Sequence, residues 1–173
     1  WGADHHGHAI RFGISMKAEC LGLEGRNLDF LIMQMVRLVR GDEVVKVSKR
    51  TGKALTLADL MDEIGVDPCR FFYNAKPDTH LEFDLDLAVR QDSENPVYYV
   101  QYAHARICSI LRKAAEAGIT TEGYTAAELL PEEIELIKLL AEFPAVVRTA
   151  GEQFAPSVIA AYAYDLAKQF NGY

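Results

Sequence analysis

Three groups of residues in this sequence have types and spacings suited to chemistry. The first is Asp4-His5-His6-Gly7-His8. Imidazole and carboxylate are good zinc ligands, but a helical metal pair takes i, i+4 spacing, and no distant Cys/His cluster completes a site. The competing reading is a polar turn whose histidines bind backbone or solvent, and no protein-bound metal is expected. The run also fits an H-x-G-H pattern, in which histidines stabilise charge on ATP phosphates. Only about forty residues separate it from the second group, too few for both halves of a nucleotide-binding fold. No Gly-rich strand precedes it, so this assignment is rejected.

The second group is Lys46-Val47-Ser48-Lys49-Arg50-Thr51-Gly52-Lys53, four cations and no anion in an otherwise acidic chain. Such a loop suits a polyphosphate, because lysine ammoniums offset charge developing on departing pyrophosphate. The hydroxyls of Ser48 and Thr51 and the flexible Gly52 allow closure over a ligand. By composition alone, a solvated surface turn explains it as well. The third group lies after Asn95-Pro96, where Tyr98, Tyr102, Arg106, Ser109 and Lys113 share one face of a helix. Aromatic rings beside cations stack and neutralise single-stranded RNA; a half-exposed face with snorkelling tyrosines is the alternative. The opposite stripe of Val100, Ala103, Ile107, Ile110, Leu111 and Ala114 is the expected core side. Ile107→Asp would therefore unfold the bundle, while Arg106→Ala would spare it unless Arg106 pairs with a carboxylate such as Asp165.

The elements that must position these groups belong to a chain of 173 residues with 18 basic and 25 acidic side chains, a net charge of −7, and 50% hydrophobic residues. That composition excludes collagen-like, low-complexity and wholly disordered chains. Residues 1–92 carry 12 basic and 15 acidic groups and residues 93–173 carry 6 and 10, so neither part is a basic module. The longest apolar stretches, such as Leu28 to Val36, are far too short for a membrane span, and no membrane partner is expected. The N-terminus lacks the basic and apolar regions of a secretory signal. Cys20, Cys69 and Cys108 are odd in number and form no CxxC pair, so a reducing cytoplasm is expected. The chain begins at Trp1, with its first methionine at Met16, as an excised or processed fragment would.

The patterns predict a mainly α chain with a few short strands. A helix is expected from His6 to about Leu21, with Gly22 as its stop. Phe30 to Val36 reads as a buried strand. Glu43–Val47 and Ala54–Leu57 read as two extended arms holding the lysine loop. Thr56 caps a helix that Gly65 ends, and Asp67-Pro68 opens another. Leu81 to Leu87 alternates and reads as extended or a connector. Beyond a junction at 91–96 the chain is expected to be all helical, over about Val97–Ala117, Pro131–Glu142, Pro144–Gln153 and Pro156–Phe170.

Several runs resemble the arginyl-tRNA synthetase family: Gly2-Ala3-Asp4-His5-His6-Gly7, Met33-Gln34-Met35-Val36 with Leu38-Val39-Arg40-Gly41, and Val45 through Gly52. They continue as Gly65-Val66-Asp67 with Arg70-Phe71-Phe72, Asp78-Thr79-His80-Leu81, and Phe83-Asp84-Leu85-Asp86-Leu87-Ala88. The longest and most specific is Glu94-Asn95-Pro96-Val97-Tyr98-Tyr99-Val100-Gln101-Tyr102-Ala103-His104-Ala105-Arg106-Ile107-Cys108. The resemblance implies the second half of a Rossmann-like class I catalytic domain over 1–92, followed by an α-helical anticodon-binding domain over 93–173.

The implied activity is activation of arginine with ATP, with Mg2+, and esterification to tRNA(Arg). Lys46-Val47-Ser48-Lys49-Arg50 then looks like the family's KMSKS loop, with Val47 in place of Met and Arg50 in place of the final Ser. Lys46 and Lys49 become catalytic, Ser48, Lys49, Arg50 and Met35 contact ATP, Asp4 and His5 lie near arginine and the adenylate, and Tyr98, Tyr102, Arg106 and Lys113 contact tRNA. The family's own HxGH signature and most of its arginine-binding residues would lie upstream, and its last helices downstream. The fragment alone is therefore expected to be inactive and prone to self-association. Two other readings compete: a stand-alone tRNA-binding module, and a DHH-type metal phosphoesterase suggested by Asp4-His5-His6.

Overall fold

The computed structural model describes residues 1–17, 21–22, 28–41, 43–45, 55–75, 79–120, 122–123 and 128–173. Lys46, Ser48, Lys49 and Arg50 lie outside the described residues, so the loop expected of them is neither seen nor tested. After a 3-10 turn at Ala3–His5 come α1 (His6–Met16), β1 (Val36–Arg40), β2 (Glu43–Val44), α2 (Leu57–Ile64) and α3 (Val66–Ala75). They are followed by β3 (Leu81–Asp84), α4 (Leu85–Val89), α5 (Pro96–Glu116), α6 (Pro131–Glu152) and α7 (Ser157–Gly172). The molecule is mainly helical, with one three-stranded sheet in the order β2-β1-β3. No helix among the described residues is long and apolar enough to cross a membrane.

Local chemistry accounts for most of the element ends. Thr56 starts α2 by a reciprocal cap: its Oγ1 accepts from Asp59 N at 3.1 Å while Asp59 Oδ2 accepts from Thr56 N at 2.9 Å. Gly65, at φ 90°, then lets the chain leave α2. Asp84 and Asn95 cap α4 and α5, and Pro96 occupies the first turn of α5. β1 pairs antiparallel with β2 across a turn containing Gly41 at φ 56°, and parallel with β3 from Val36↔Leu81 to Val39↔Asp84. The parallel pair needs a crossover, which α2 and α3 supply. Leu60, Ile64, Cys69, Phe83, Leu85 and Ala88 close the core between that crossover and the sheet. Phe83, 0% exposed, stacks on Phe72 at 4.8 Å and meets Tyr73 edge-on at 5.5 Å. Burial pushes the Cys69 thiol and the Tyr73 hydroxyl above their ordinary pKa values.

Several expectations need correction. The strand expected at Phe30–Val36 begins instead at Val36; before it, only Met33 is bridged, in parallel, to Gly2. In that stretch alternate residues are exposed, with Phe30 turned onto Trp1, so it has one covered face rather than two. Of the expected second arm, Leu55 and Thr56 are not in a strand, and the Thr56–Asp59 cap makes Leu57 the first residue of α2; Ala54 lies outside the described residues. Among the described residues of the first arm, Glu43–Val44 form the strand, and α1 ends at Met16 rather than near Leu21. Leu81 to Leu87 divides into β3 and α4 at the Asp84 cap. The two helices expected to be split by Pro144 are one, α6. An interior proline costs about 3 kcal/mol, and the packing of α6 along α7, including Phe143 on Tyr162, offsets that cost.

The α5 stripe is also less buried than expected. Ala103 is buried and Val100 and Ala114 are half-buried, but Ile107 is 37% exposed, and Ile110 and Leu111 are exposed too. The reason is the arrangement of the last three helices. α7 lies between α5 and α6, with Tyr99 on Tyr164 at 5.3 Å on one side and Phe143 on Tyr162 at 5.4 Å on the other. α7 also packs on α3, joining the helical part to the α/β part.

Candidate functional site

Asp4 and His5 sit in the exposed 3-10 turn ahead of α1. The turn follows a short parallel pairing: Met33 N donates to Trp1 O at 2.7 Å, and the Trp1 ammonium donates to Leu31 O at 2.6 Å. Because this pairing is parallel, Asp4 and Met35 each lie two residues beyond the Gly2–Met33 bridge, at the same end. Met35 is 75% exposed, and its carbonyl accepts from Leu81 N at the start of β3. His5 Nε2 is 3.6 Å from Asp4 Oδ2, and its ring is 5.4 Å from that of His8 and 6.3 Å from Trp1. Arg11 approaches His8 Nδ1 at 3.4 Å. Among the described residues, no three His, Cys, Asp or Glu side chains are placed to hold a metal ion.

The flanks of the lysine loop are visible although the loop residues are not among those described. Val45 N donates to Leu38 O at 2.9 Å, extending the β1–β2 pairing by one bond. Val45 and Leu55 line a common cavity of about 850 Å³ together with Arg40, Glu43 and Glu63. An ion pair between Arg40, the last residue of β1, and Glu63 on α2 spans its rim.

The third group is the best-defined. Tyr98 and Tyr102 stack with centroids 6.2 Å apart and planes 20° apart, as i, i+4 neighbours on α5. Tyr102 is 51% exposed. Arg106 follows one turn later: its guanidinium carbon lies 5.6 Å from the Phe170 ring centre, and Nη1 donates to Asn171 Oδ1 at 3.2 Å. Its partners are thus on the last turn of α7, and not Asp165. These side chains line a recess of about 330 Å³ completed by Ser93, Tyr99 and Asn171. Ser109 accepts from Arg112, and Lys113 stands exposed in the last turn of α5, about 10 Å beyond Arg106. Helical periodicity aligned Tyr98, Tyr102 and Arg106. It carried no signal for Ser93 or Asn171, which reach the recess from the α4–α5 connection and from α7. The recess offers stacking faces, one cation, and hydroxyl and amide groups, a set suited to an unpaired base and its phosphate.

Residues 100–173 match the DALR anticodon binding domain. The whole chain aligns at 49% identity with the arginine–tRNA ligase of Caldanaerobacter subterraneus subsp. tengcongensis, covering 31% of that protein. It aligns at 51% identity with the arginine–tRNA ligase of Desulforamulus reducens, again over 31% of its length. The chain therefore spans about a third of the curated relatives it matches. The crystal structure of a putative arginyl-tRNA synthetase from Campylobacter jejuni superposes with a TM-score of 0.84 at 36% identity, over 99% of this chain and 37% of that one. The Thermus thermophilus arginyl-tRNA synthetase shares the fold, with a TM-score of 0.61 at 24% identity over 82% of this chain and 26% of its own.

Proposed function

We infer that this chain is one region of an arginine–tRNA ligase, and its residues take their roles from that premise. The observation that carries it is identity near one half to such ligases along the entire chain, with an anticodon-binding match over 100–173. It supports the ligase over a metal phosphoesterase or a stand-alone RNA module, because the catalytic-side residues match as well as the helical ones. We assign residues 1–92 to the catalytic side and 93–173 to the anticodon side.

In the ligase, the arginine carboxylate attacks the α-phosphorus of ATP and the bond to the pyrophosphate oxygen breaks; a terminal hydroxyl of tRNA(Arg) then attacks the arginyl carbonyl of the adenylate, and AMP leaves as the acyl–phosphate bond breaks. Lys46 and Lys49 offset the charge that accumulates on departing pyrophosphate. Ser48, Arg50 and Met35 complete the contacts to ATP, which carries its Mg2+ as part of the substrate. Asp4 and His5 border arginine and the adenylate. Tyr98 and Tyr102 stack on unpaired bases, while Arg106 and Lys113 contact phosphates. The protein works in the cytoplasm.

Arginine-dependent ATP–pyrophosphate exchange tests the assignment. The full-length ligase exchanges, whereas the 173-residue chain alone does not, because part of the ATP and arginine site lies elsewhere in the ligase. Exchange by the isolated chain above background would refute this division of labour.

A further inference from the structure

Asn95 is the one buried polar residue among the described residues, at 3% exposure. Its amide nitrogen donates to Ala88 O at 3.0 Å and Arg90 O at 2.8 Å, carbonyls at the end of α4. Its oxygen accepts from Val97 N at 3.0 Å, in the first turn of α5. One side chain thus closes the end of one helix and opens the next, with both amide hydrogens used. Around it, Arg90 bridges Asp92 at 2.9 Å and Glu94 at 2.6 Å, and Asp92 Oδ1 accepts from Glu94 N at 2.9 Å. Farther along α5, Gln101 Nε2 donates to Asp67 Oδ2 on α3 at 2.9 Å. Neither Asn95 nor Gln101 lines the tyrosine recess. The connection between the two parts is therefore a hydrogen-bonded strut rather than a polar linker.

We propose that Asn95, assisted by the Gln101–Asp67 bond, is a positioning residue for tRNA charging: it sets the angle at which α5 and its RNA-facing side leave the catalytic part. This rests on the ligase reading above. The leverage is large. α5 is about 30 Å long, so a rotation of about 5° at its base moves its far end by about 3 Å. Misplacement of about 1 Å at a reacting centre is enough to lower a rate by up to about 100-fold. Asparagine suits the pivot because it offers two donors to the α4 carbonyls and one acceptor to α5. Aspartate has the same shape but turns an oxygen toward both carbonyls unless it is protonated.

The test uses the full-length ligase carrying Asn95→Asp or Gln101→Ala, with Tyr102→Ala and Lys49→Ala as reference arms. Charging kcat, KM for tRNA and the affinity of an isolated anticodon stem-loop are measured. Asn95→Asp is expected to lower charging kcat about 10-fold, with KM and stem-loop affinity held within about twofold. Its deficit relative to wild type should narrow from about pH 8 toward pH 6, as the buried carboxyl takes up a proton and can donate to one carbonyl. Gln101→Ala should give the same split at about threefold.

Wild-type kcat in a folded Asn95→Asp enzyme overturns the proposal, and so does a loss carried wholly by stem-loop affinity. If Asn95→Asp does not fold, the exposed Gln101→Ala pair decides by the same criteria. If Tyr102→Ala spares stem-loop affinity and Lys49→Ala spares charging, the ligase reading fails first and the proposal falls with it.

Discussion

Lys49 and Arg106 are both cations assigned to negatively charged substrates. Lys49 is assigned to the phosphates alone. Lys49→Ala in the full-length ligase should lower kcat for adenylate formation by roughly 10²–10³, the scale for losing one preorganised charge partner, with arginine affinity nearly unchanged. Collapse of arginine binding with turnover spared would sink the loop assignment. Arg106 is also a bridge to Phe170 and Asn171. Arg106→Ala should therefore flatten the salt dependence of tRNA binding by about one unit and also cost about 1 kcal/mol of stability. Lys113→Ala should flatten the slope by the same amount with an unchanged melting temperature. Titrations at several salt concentrations, beside thermal melts, separate the two; equal melting temperatures for both variants would contradict the Arg106 bridge. The tyrosine–arginine face was legible in the sequence because it lies within one helix. Asn171 was not, because a partner 65 residues away leaves no trace in local periodicity.

At the scale of elements, the legible boundaries were those written in cap chemistry. Thr56 with Asp59, Gly65, and Asn95 before Pro96 each act within four residues, and each falls where their residue types place it. The misread boundaries were decided by packing. Pro144 reads as a break, but α6 continues through it against α7. The helix stops instead near Phe154, a non-glycine residue held at φ 51°, where Ala155 N donates back to Ala150 O at 2.9 Å. An exposed phenylalanine is poorly suited to that left-handed conformation. Phe154→Gly should raise unfolding stability by about 1 kcal/mol, read as a higher urea midpoint at constant m-value. A lower midpoint would mean that the ring contributes packing beyond the turn.

Among the described residues, exposed large apolar side chains include Ile10, Ile14, Met33 and Met35 in the N-terminal part and Ile107, Leu111, Ile137 and Leu140 on α5 and α6. Patches of this kind mark contact surfaces. The isolated chain is proposed to associate with itself, and sedimentation should show mass rising with concentration. Leu111→Lys with Ile137→Lys should weaken that association without unfolding the chain, since both positions are already in water. A clean monomer at high concentration would count against it. The same exposure revises the expectation for Ile107→Asp: with 37% of the side chain exposed, the carboxylate keeps part of its hydration, and destabilisation should fall well short of unfolding.

The ring cluster at the first residue has an optical consequence. Trp1 is the sole tryptophan, and it lies 5.2 Å from Phe30 and 6.0 Å from Phe12, whereas the long helices dominate the ellipticity. Indole emission therefore watches the region around Asp4 and His5, while the far-ultraviolet dichroism watches chiefly α5, α6 and α7. Without added label, one sample carries two separate clocks. Coincident melting curves from both would mean that the strut at Asn95 joins the two parts into a single cooperative unit, and displaced curves that each part melts on its own.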